Sequence, residues 1–180
     1  VDGSSVDIPA YWLQGDTYTK VYKHVKATGA YGCYLSHYRV LSDVVRSGEE
    51  VVAIFEDNAD FVDDFKNKLR VFMDHVPSGW DVLMLGYTNN ADPVRINEHC
   101  RKVTSANTTL AYIVNQKGAA KYLHYLDRLQ KERNNEPVDV QLSRIQKEMY
   151  IYQPCEPIVV PSKHSLVSDI YSTGVGVGPP

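Results

Sequence analysis

The chain has 180 residues, 43% of them hydrophobic and 23% charged, with a formal net charge of −3. This is ordinary globular composition at a length that suits one domain. It excludes the basic field expected of a nucleic-acid binder, and no apolar run approaches the length of a membrane-spanning helix.

Residues 1–28 are polar and weakly patterned, with one short helix expected over Asp16 to Val25. From Gly32 the apolar positions Tyr34, Leu35, Tyr38, Leu41, Val44 and Val45 recur at helical spacing. Arg46 and Gly48 close that helix, giving a span of about 32–47. Val51 to Phe55 is continuously apolar and predicts a central strand buried on both faces. A helix is then expected over Asp60 to Val76, with Phe61, Phe65, Leu69, Phe72, Met73 and Val76 on one side. Pro77-Ser78-Gly79 breaks it.

Asp81 to Gly86 predicts a second buried strand, interior and adjacent to the first. Asn89 to Asn97 is a polar loop and Leu110 to Val114 a third strand. Gln116 to Gln130 is a helix with Ala119, Ala120, Leu123 and Leu126 inward. Pro137 starts another, running to about Met149. Tyr150 to Gln153 and Ile158 to Val160 are short strands. The expected organisation is one domain over 1–170 and a flexible tail over 171–180. Alternating strands and helices predict an α/β fold with a mostly parallel sheet flanked by helices.

Cys33, Cys100 and Cys155 are odd in number and widely spaced. They show neither a CxxC zinc pair nor a dense disulfide framework. No signal peptide is visible, and the first residue is Val1 rather than Met. The residues therefore leave the compartment open between a cytoplasm and a secretory lumen.

The stretch Ile54-Phe55-Glu56-Asp57-Asn58-Ala59-Asp60-Phe61 puts carboxylates at the carboxyl end of a strand, where α/β sheets bind ligands. Clustered carboxylates repel unless a cation or hydrogen bonds compensate. Hard divalent cations do this well, because they favour oxygen ligands. Asp57, Asn58 and Asp60 would equally serve as caps at a helix N-terminus. The residues leave both readings open.

These motifs resemble glycosyltransferase family 25, which includes lipooligosaccharide and procollagen galactosyltransferases. The resemblance rests on "GAYGCYLSHYRVLSDVV" followed by "VVAIFEDNADF", similar to Gly-x-x-Gly-Cys-x-x-Ser-His, a helix, and a strand ending Glu-Asp-Asp. "GWDVLMLG", "TTLAYIVNQKGAAKYL", "PVDVQL" and "HSLVSDI" resemble later family elements in the same order, over roughly residues 29–170.

The resemblance implies a GT-A, Rossmann-like fold and inverting transfer of a hexose, galactose or glucose, from a UDP-sugar donor. It implies a glycan or hydroxylated protein as acceptor and Mn²⁺ or Mg²⁺ as cofactor. Glu56, Asp57, Asn58 and His164 are the metal candidates. Gly29, Gly32, Ser36, Glu56, Asp57, Ser168 and Asp169 are the donor-binding candidates. Asp139 is the expected general base and His37 a catalytic-site residue orienting the acidic motif. Gly118 is read as helix start or packing.

Two departures stand out. Asn58 occupies a position where the family has Asp. The family's opening strand and helix, with Asn-Leu and Arg, are also expected to be missing, since Val1-Asp2-Gly3 resembles the segment just after that unit. An inactive relative that binds a sugar nucleotide, a glycan or a partner protein is therefore the alternative reading. A receiver-like domain ranks lower, because no later strand ends in Thr or Ser followed by Lys.

Overall fold

The computed structural model describes residues 7–13 and 27–163. The expected helix over Asp16 to Val25, the tail, and the candidates His164, Ser168 and Asp169 lie outside the described residues. The described elements begin with helices α1 (Ala10–Leu13) and α2 (Ala27–Ser47), strands β1 (Val51–Phe55) and β2 (Ala59–Phe61), and helix α3 (Phe65–His75). Strands β3 (Val82–Asn89), β4 (Val94–Arg95), β5 (Cys100–Lys102) and β6 (Ala106–Asn115) come next. The chain continues through helices α4 (Gln116–Lys131) and α5 (Val138–Ser143) to strands β7 (Ile151–Pro154) and β8 (Val159–Pro161).

Six strands form one sheet in the order β1-β6-β3-β7-β5-β4, while β2 and β8 pair separately. The α/β class stands, with helices on both faces. Alternation along the central strands makes this possible, since successive side chains point to opposite sides. Val82 and Met84 of β3, with Tyr112 and Val114 of β6, pack in one cluster with α2, α4 and α5. Leu83 and Leu85, with Ala111 and Ile113, pack in the other against Phe72 of α3. Leu83 and Leu85 are fully buried, each worth roughly 1.5–3 kcal/mol of transfer free energy.

Strand direction departs from expectation. Among the described strands of the large sheet, β3 and β7 are the only parallel pair; β1–β6, β3–β6, β5–β7 and β4–β5 are antiparallel. Continuous apolar runs report burial, not direction, and local spacing cannot distinguish the two. β1 is also not interior. It pairs with β6 alone, and β6 separates it from β3. Only Ile54 of β1 is buried, while Val51 and Phe55 are 49% and 40% exposed. Phe55 instead meets Phe61 of β2, which in turn meets Phe65 of α3.

The segment after the acidic motif is likewise corrected. The expected helix from Asp60 is β2 followed by a helix that starts only at Phe65, with Asp64 as its N-cap in the left-handed region. The polar loop over 89–97 contains β4, and the helix expected from Pro137 to about Met149 stops at Ser143, followed by a 3₁₀ turn at Gln146–Glu148. α2 starts earlier than expected, at Ala27, so Gly29 and Gly32 are buried inside it. Cys33, Cys100 and Cys155 are free thiols.

Close backbone contact explains Gly118. A Cβ there would sit 2.2 Å from the Asp81 carbonyl oxygen. The neighbouring Asn115 side chain caps α4 by accepting from the Gly118 amide at 2.7 Å. Buried Asp81 accepts from Lys121 at 2.6 Å and from the Tyr150 amide at 2.9 Å. One carboxylate thus ties β3, α4 and the approach to β7.

Candidate functional site

The acidic motif is a reverse turn at the end of β1. The Ala59 amide donates to the Glu56 carbonyl, with Asp57 and Asn58 at the corner. The chain then returns as β2, so neither Asp57 nor Asn58 caps a helix. Asp60 lies inside β2. The helix-cap reading of this stretch is overturned.

Glu56 remains tied to the sheet through its own amide, which donates to the Leu110 carbonyl at 2.9 Å. Its Oε1 accepts from the Thr109 hydroxyl at 2.6 Å and lies 3.2 Å from His37 Nε2. His37 is 5% exposed, and its Nδ1 is 2.9 Å from the Tyr112 hydroxyl. Tyr112 is a neutral phenol, since burial holds its pKa far above the ordinary value. The His37 ring thus bridges the Tyr112 hydroxyl to the Glu56 carboxylate, and which nitrogen carries the proton in each contact depends on its tautomer.

Asp139 enters from α5, in the first helical turn. Its Oδ2 accepts from the Thr108 amide at 3.3 Å and its Oδ1 from the Val140 amide at 2.8 Å. Thr108 has φ of 78°, the left-handed region that favours glycine. It lies where the β3–β6 register shifts twice, and its hydroxyl donates to the Gly86 carbonyl. Such irregularities re-aim backbone groups beside functional sites. Here the shift turns the Thr108 amide toward Asp139. Asp139, Thr108, Thr109, Tyr112 and Gln146 line a cavity of about 10 Å³, room for about one water molecule.

The two carboxylates are driven apart in proton affinity. For Glu56, burial raises the pKa, but hydrogen bonds from His37 and Thr109 and the His37 charge outweigh it, and the net shift is down. For Asp139, burial raises the pKa and Glu56's charge adds to it; the Thr108 and Val140 amides offset only part, and the net shift is up. Pairs of groups pushed in opposite directions characterise acid–base sites. Cys33 sits beside both. Burial first, then the charges of Glu56 and Asp139, push its thiol up to about 12.

The structure therefore brings together Glu56, Asp139 and His37 from three separate elements. Asp57 is exposed at the turn, and Asn58 Oδ1 is buried with no hydrogen-bond partner among the described residues. Asn58's carbonyl also accepts from the Ser162 amide at 2.7 Å, placing the end of β8 at the motif. Ser36 donates its hydroxyl back to the Gly32 carbonyl within α2. Gly29, Cys33 and His37 succeed one another four positions apart along α2.

Sequence reasoning gave no role to Cys33, Thr108, Thr109 or Tyr112. Three of them carried a signal. Cys33 is the Cys of the Gly-x-x-Gly-Cys-x-x-Ser-His pattern, and Thr109 and Tyr112 lie in the stretch "TTLAYIVNQKGAAKYL", where the structure sets one on Glu56 and the other on His37.

Residues 16–142 match the model for Glycosyltransferase family 25 (LPS biosynthesis protein). With the α/β fold, that match defines the class as a glycosyltransferase-type domain. Among curated proteins, the chain is 34% identical over 102 residues to the probable inactive glycosyltransferase 25 family member 3 of Bos taurus, covering 53% of this chain and 17% of that protein. It is 29% identical over 101 residues to procollagen galactosyltransferase 2 of Homo sapiens, covering 52% and 16%. It is 30% identical over 131 residues to a glycosyltransferase 25 family member of Aedes aegypti, covering 65% and 20%. The chain belongs to glycosyltransferase family 25. The matched part spans about a fifth or less of the length of these relatives. Among the described residues, no helix is long and apolar enough to cross a membrane.

Proposed function

We propose that the chain carries the donor-handling and base residues of an inverting hexosyltransferase. It would move galactose or glucose from a UDP-sugar to a hydroxyl of a glycan or hydroxylated protein. The observation that carries this reading is the opposed carboxylate pair: Glu56 stabilised as the anion, Asp139 with raised proton affinity, both anchored on adjacent residues of β6.

Inversion is a single displacement. The acceptor oxygen bonds to the anomeric carbon as the bond from that carbon to the diphosphate oxygen breaks, and the bonding pair leaves with UDP. The acceptor's proton passes to the Asp139 carboxylate. A raised pKa makes Asp139 a better proton acceptor than an ordinary aspartate. His37 is a positioning residue. It holds Glu56, and Tyr112 holds His37.

The residues fit a hard divalent cation, Mn²⁺ or Mg²⁺. Asp57 supplies an exposed carboxylate, and the orphaned Oδ1 of Asn58 is an oxygen acceptor without a donor among the described residues. When bound, such a cation supplies positive charge to the leaving diphosphate. Glu56 faces the donor or a metal-bound water in this reading. Gly29, Gly32 and Ser36, together on the first half of α2, belong to the donor side of this proposal. His164 as a further metal ligand, and Ser168 and Asp169 as donor contacts, belong to the same proposal; they come after Ser162, whose amide is bonded to Asn58.

UDP release from UDP-galactose and UDP-glucose, with and without Mn²⁺, tests the reading. Metal-dependent release supports it, and no release from either donor counts against it. A second reading, a binding module without turnover, is favoured by Asn58 standing where the family has Asp, and by relatives named inactive. Calorimetry with UDP separates the two, since binding without turnover selects the module.

A further inference from the structure

We propose that Cys33, His37 and Glu56 form a binding site for a zinc-class divalent cation, with a ligand set distinct from the oxygen donors of Asp57 and Asn58. Cys33 and His37 stand one helical turn apart on α2, which places both on one face. Glu56 meets that face from the end of β1. One donor atom from each residue lies within 4.8 Å of the other two, and no other trio of His, Cys, Asp or Glu among the described residues is gathered so closely.

The chemistry of the set selects the ion. Sulfur, imidazole nitrogen and carboxylate oxygen together suit Zn²⁺ and its neighbours, whereas Mg²⁺, Ca²⁺ and Mn²⁺ favour oxygen throughout. Zinc bonds of about 2.0–2.3 Å to such atoms put tetrahedral ligands roughly 3.5 Å apart. Side-chain rotation covers that contraction. Three protein ligands match zinc sites that keep a fourth position for water or substrate.

Groups behind the ligands already aim them. Tyr112 bonds His37 Nδ1 at 2.9 Å, which turns Nε2 toward the cluster, 3.2 Å from Glu56. Thr109 holds Glu56 at 2.6 Å. Outer partners of this kind fix imidazole and carboxylate ligands in metal sites. Cys33 and Glu56 are half-buried, so an ion has access, while His37 is buried behind them. On binding, the Cys33 thiol gives its proton to solvent and the sulfur bonds the ion. His37 ligates through Nε2 as the neutral imidazole whose single proton sits on Nδ1, where it donates to the Tyr112 oxygen.

The site shares Glu56 with the proposed donor pocket. An ion held there draws Glu56 toward α2, so zinc would oppose the Mn²⁺-dependent reaction. That consequence rests on the proposed function; the binding itself does not.

Cobalt(II) titration of the chain tests the binding directly, without turnover. The expected result is one equivalent bound, with a thiolate-to-cobalt charge-transfer band that Zn²⁺ abolishes. Cys33→Ser should lose the band and weaken binding by more than the about 10- to 100-fold that an outer partner is worth. Asn58→Ala should keep the band. In the unmodified chain, Zn²⁺ should slow alkylation of Cys33, mapped by mass spectrometry, which needs no variant to fold. Absence of a thiolate band, a band that survives Cys33→Ser, or Cys33 alkylation indifferent to Zn²⁺ would each overturn the proposal.

Discussion

Glu56 and Asp139 are held by consecutive residues of one strand. The Thr109 hydroxyl donates to Glu56 at 2.6 Å and the Thr108 amide to Asp139 at 3.3 Å. The left-handed φ of Thr108 and the register shift beside it let neighbouring positions of β6 serve two carboxylates arriving from different elements. Glu56's charge raises the pKa of Asp139, so the two are electrostatically coupled as well.

Asp139→Asn removes the proposed base while preserving its size. Turnover should fall by roughly 10²-fold or more, with UDP affinity nearly unchanged. Steady-state kinetics and calorimetry on the same preparation check this. An equal loss of UDP affinity would reassign Asp139 to the nucleotide side.

The pH dependence comes from the two shifts. A base acts when deprotonated, and burial raises the pKa of Asp139, so activity should fall on acidification at a higher pH than an ordinary aspartate would give. Glu56→Gln removes a neighbouring negative charge and should move the Asp139 titration to lower pH. Carbon NMR of the Asp139 carboxyl reads this whether or not the variant turns over. For stability the sign is separate. Glu56 is depressed in the folded state, so its contribution is present above the unfolded carboxylate pKa and lost as pH falls through its lowered folded value. Glu56→Gln should therefore lose less stability on acidification than the unmodified chain.

Asn58→Asp tests the oxygen turn. Added charge should tighten Mn²⁺ binding in the absence of nucleotide. It should also lower stability without metal, because three adjacent carboxylates then repel. Thermal melts of both forms with and without Mn²⁺ are sufficient. Since β2, not a helix, comes after the turn, an unchanged metal response would remove position 58 from the metal site and leave it a role in the turn alone.

Gly118→Ala forces a methyl against the Asp81 carbonyl, 2.2 Å away. Backbone on both sides has little room to yield, so the loss should reach at least the about 1–3 kcal/mol typical of overpacking. Urea denaturation measures it, and a neutral result would contradict the packing of α4 on the start of β3.

The parts of the fold legible in the sequence were those with period or punctuation. α2, α4, β3 and β6 emerge from apolar spacing, and their positions hold to within a few residues. Strand order was not legible, because the unbroken apolar run Val51–Phe55 has the pattern of a central strand yet lies at an edge, with Phe55 covered in part by Phe61. β2, β4 and β5 are too short for any period to emerge. In the site, Glu56 and Asp139 could be singled out through motifs. Cys33, Thr109 and Tyr112 could not be given roles, because their partners arrive from other elements and only the folded sheet makes them neighbours.

The most direct measurement is UDP release from a UDP-hexose, with and without Mn²⁺, by the unmodified chain and by Asp139→Asn. The account predicts metal-dependent release that falls by roughly 10²-fold or more in the variant while UDP still binds. Release that is equal in both, or UDP binding with no release by the unmodified chain, would contradict it.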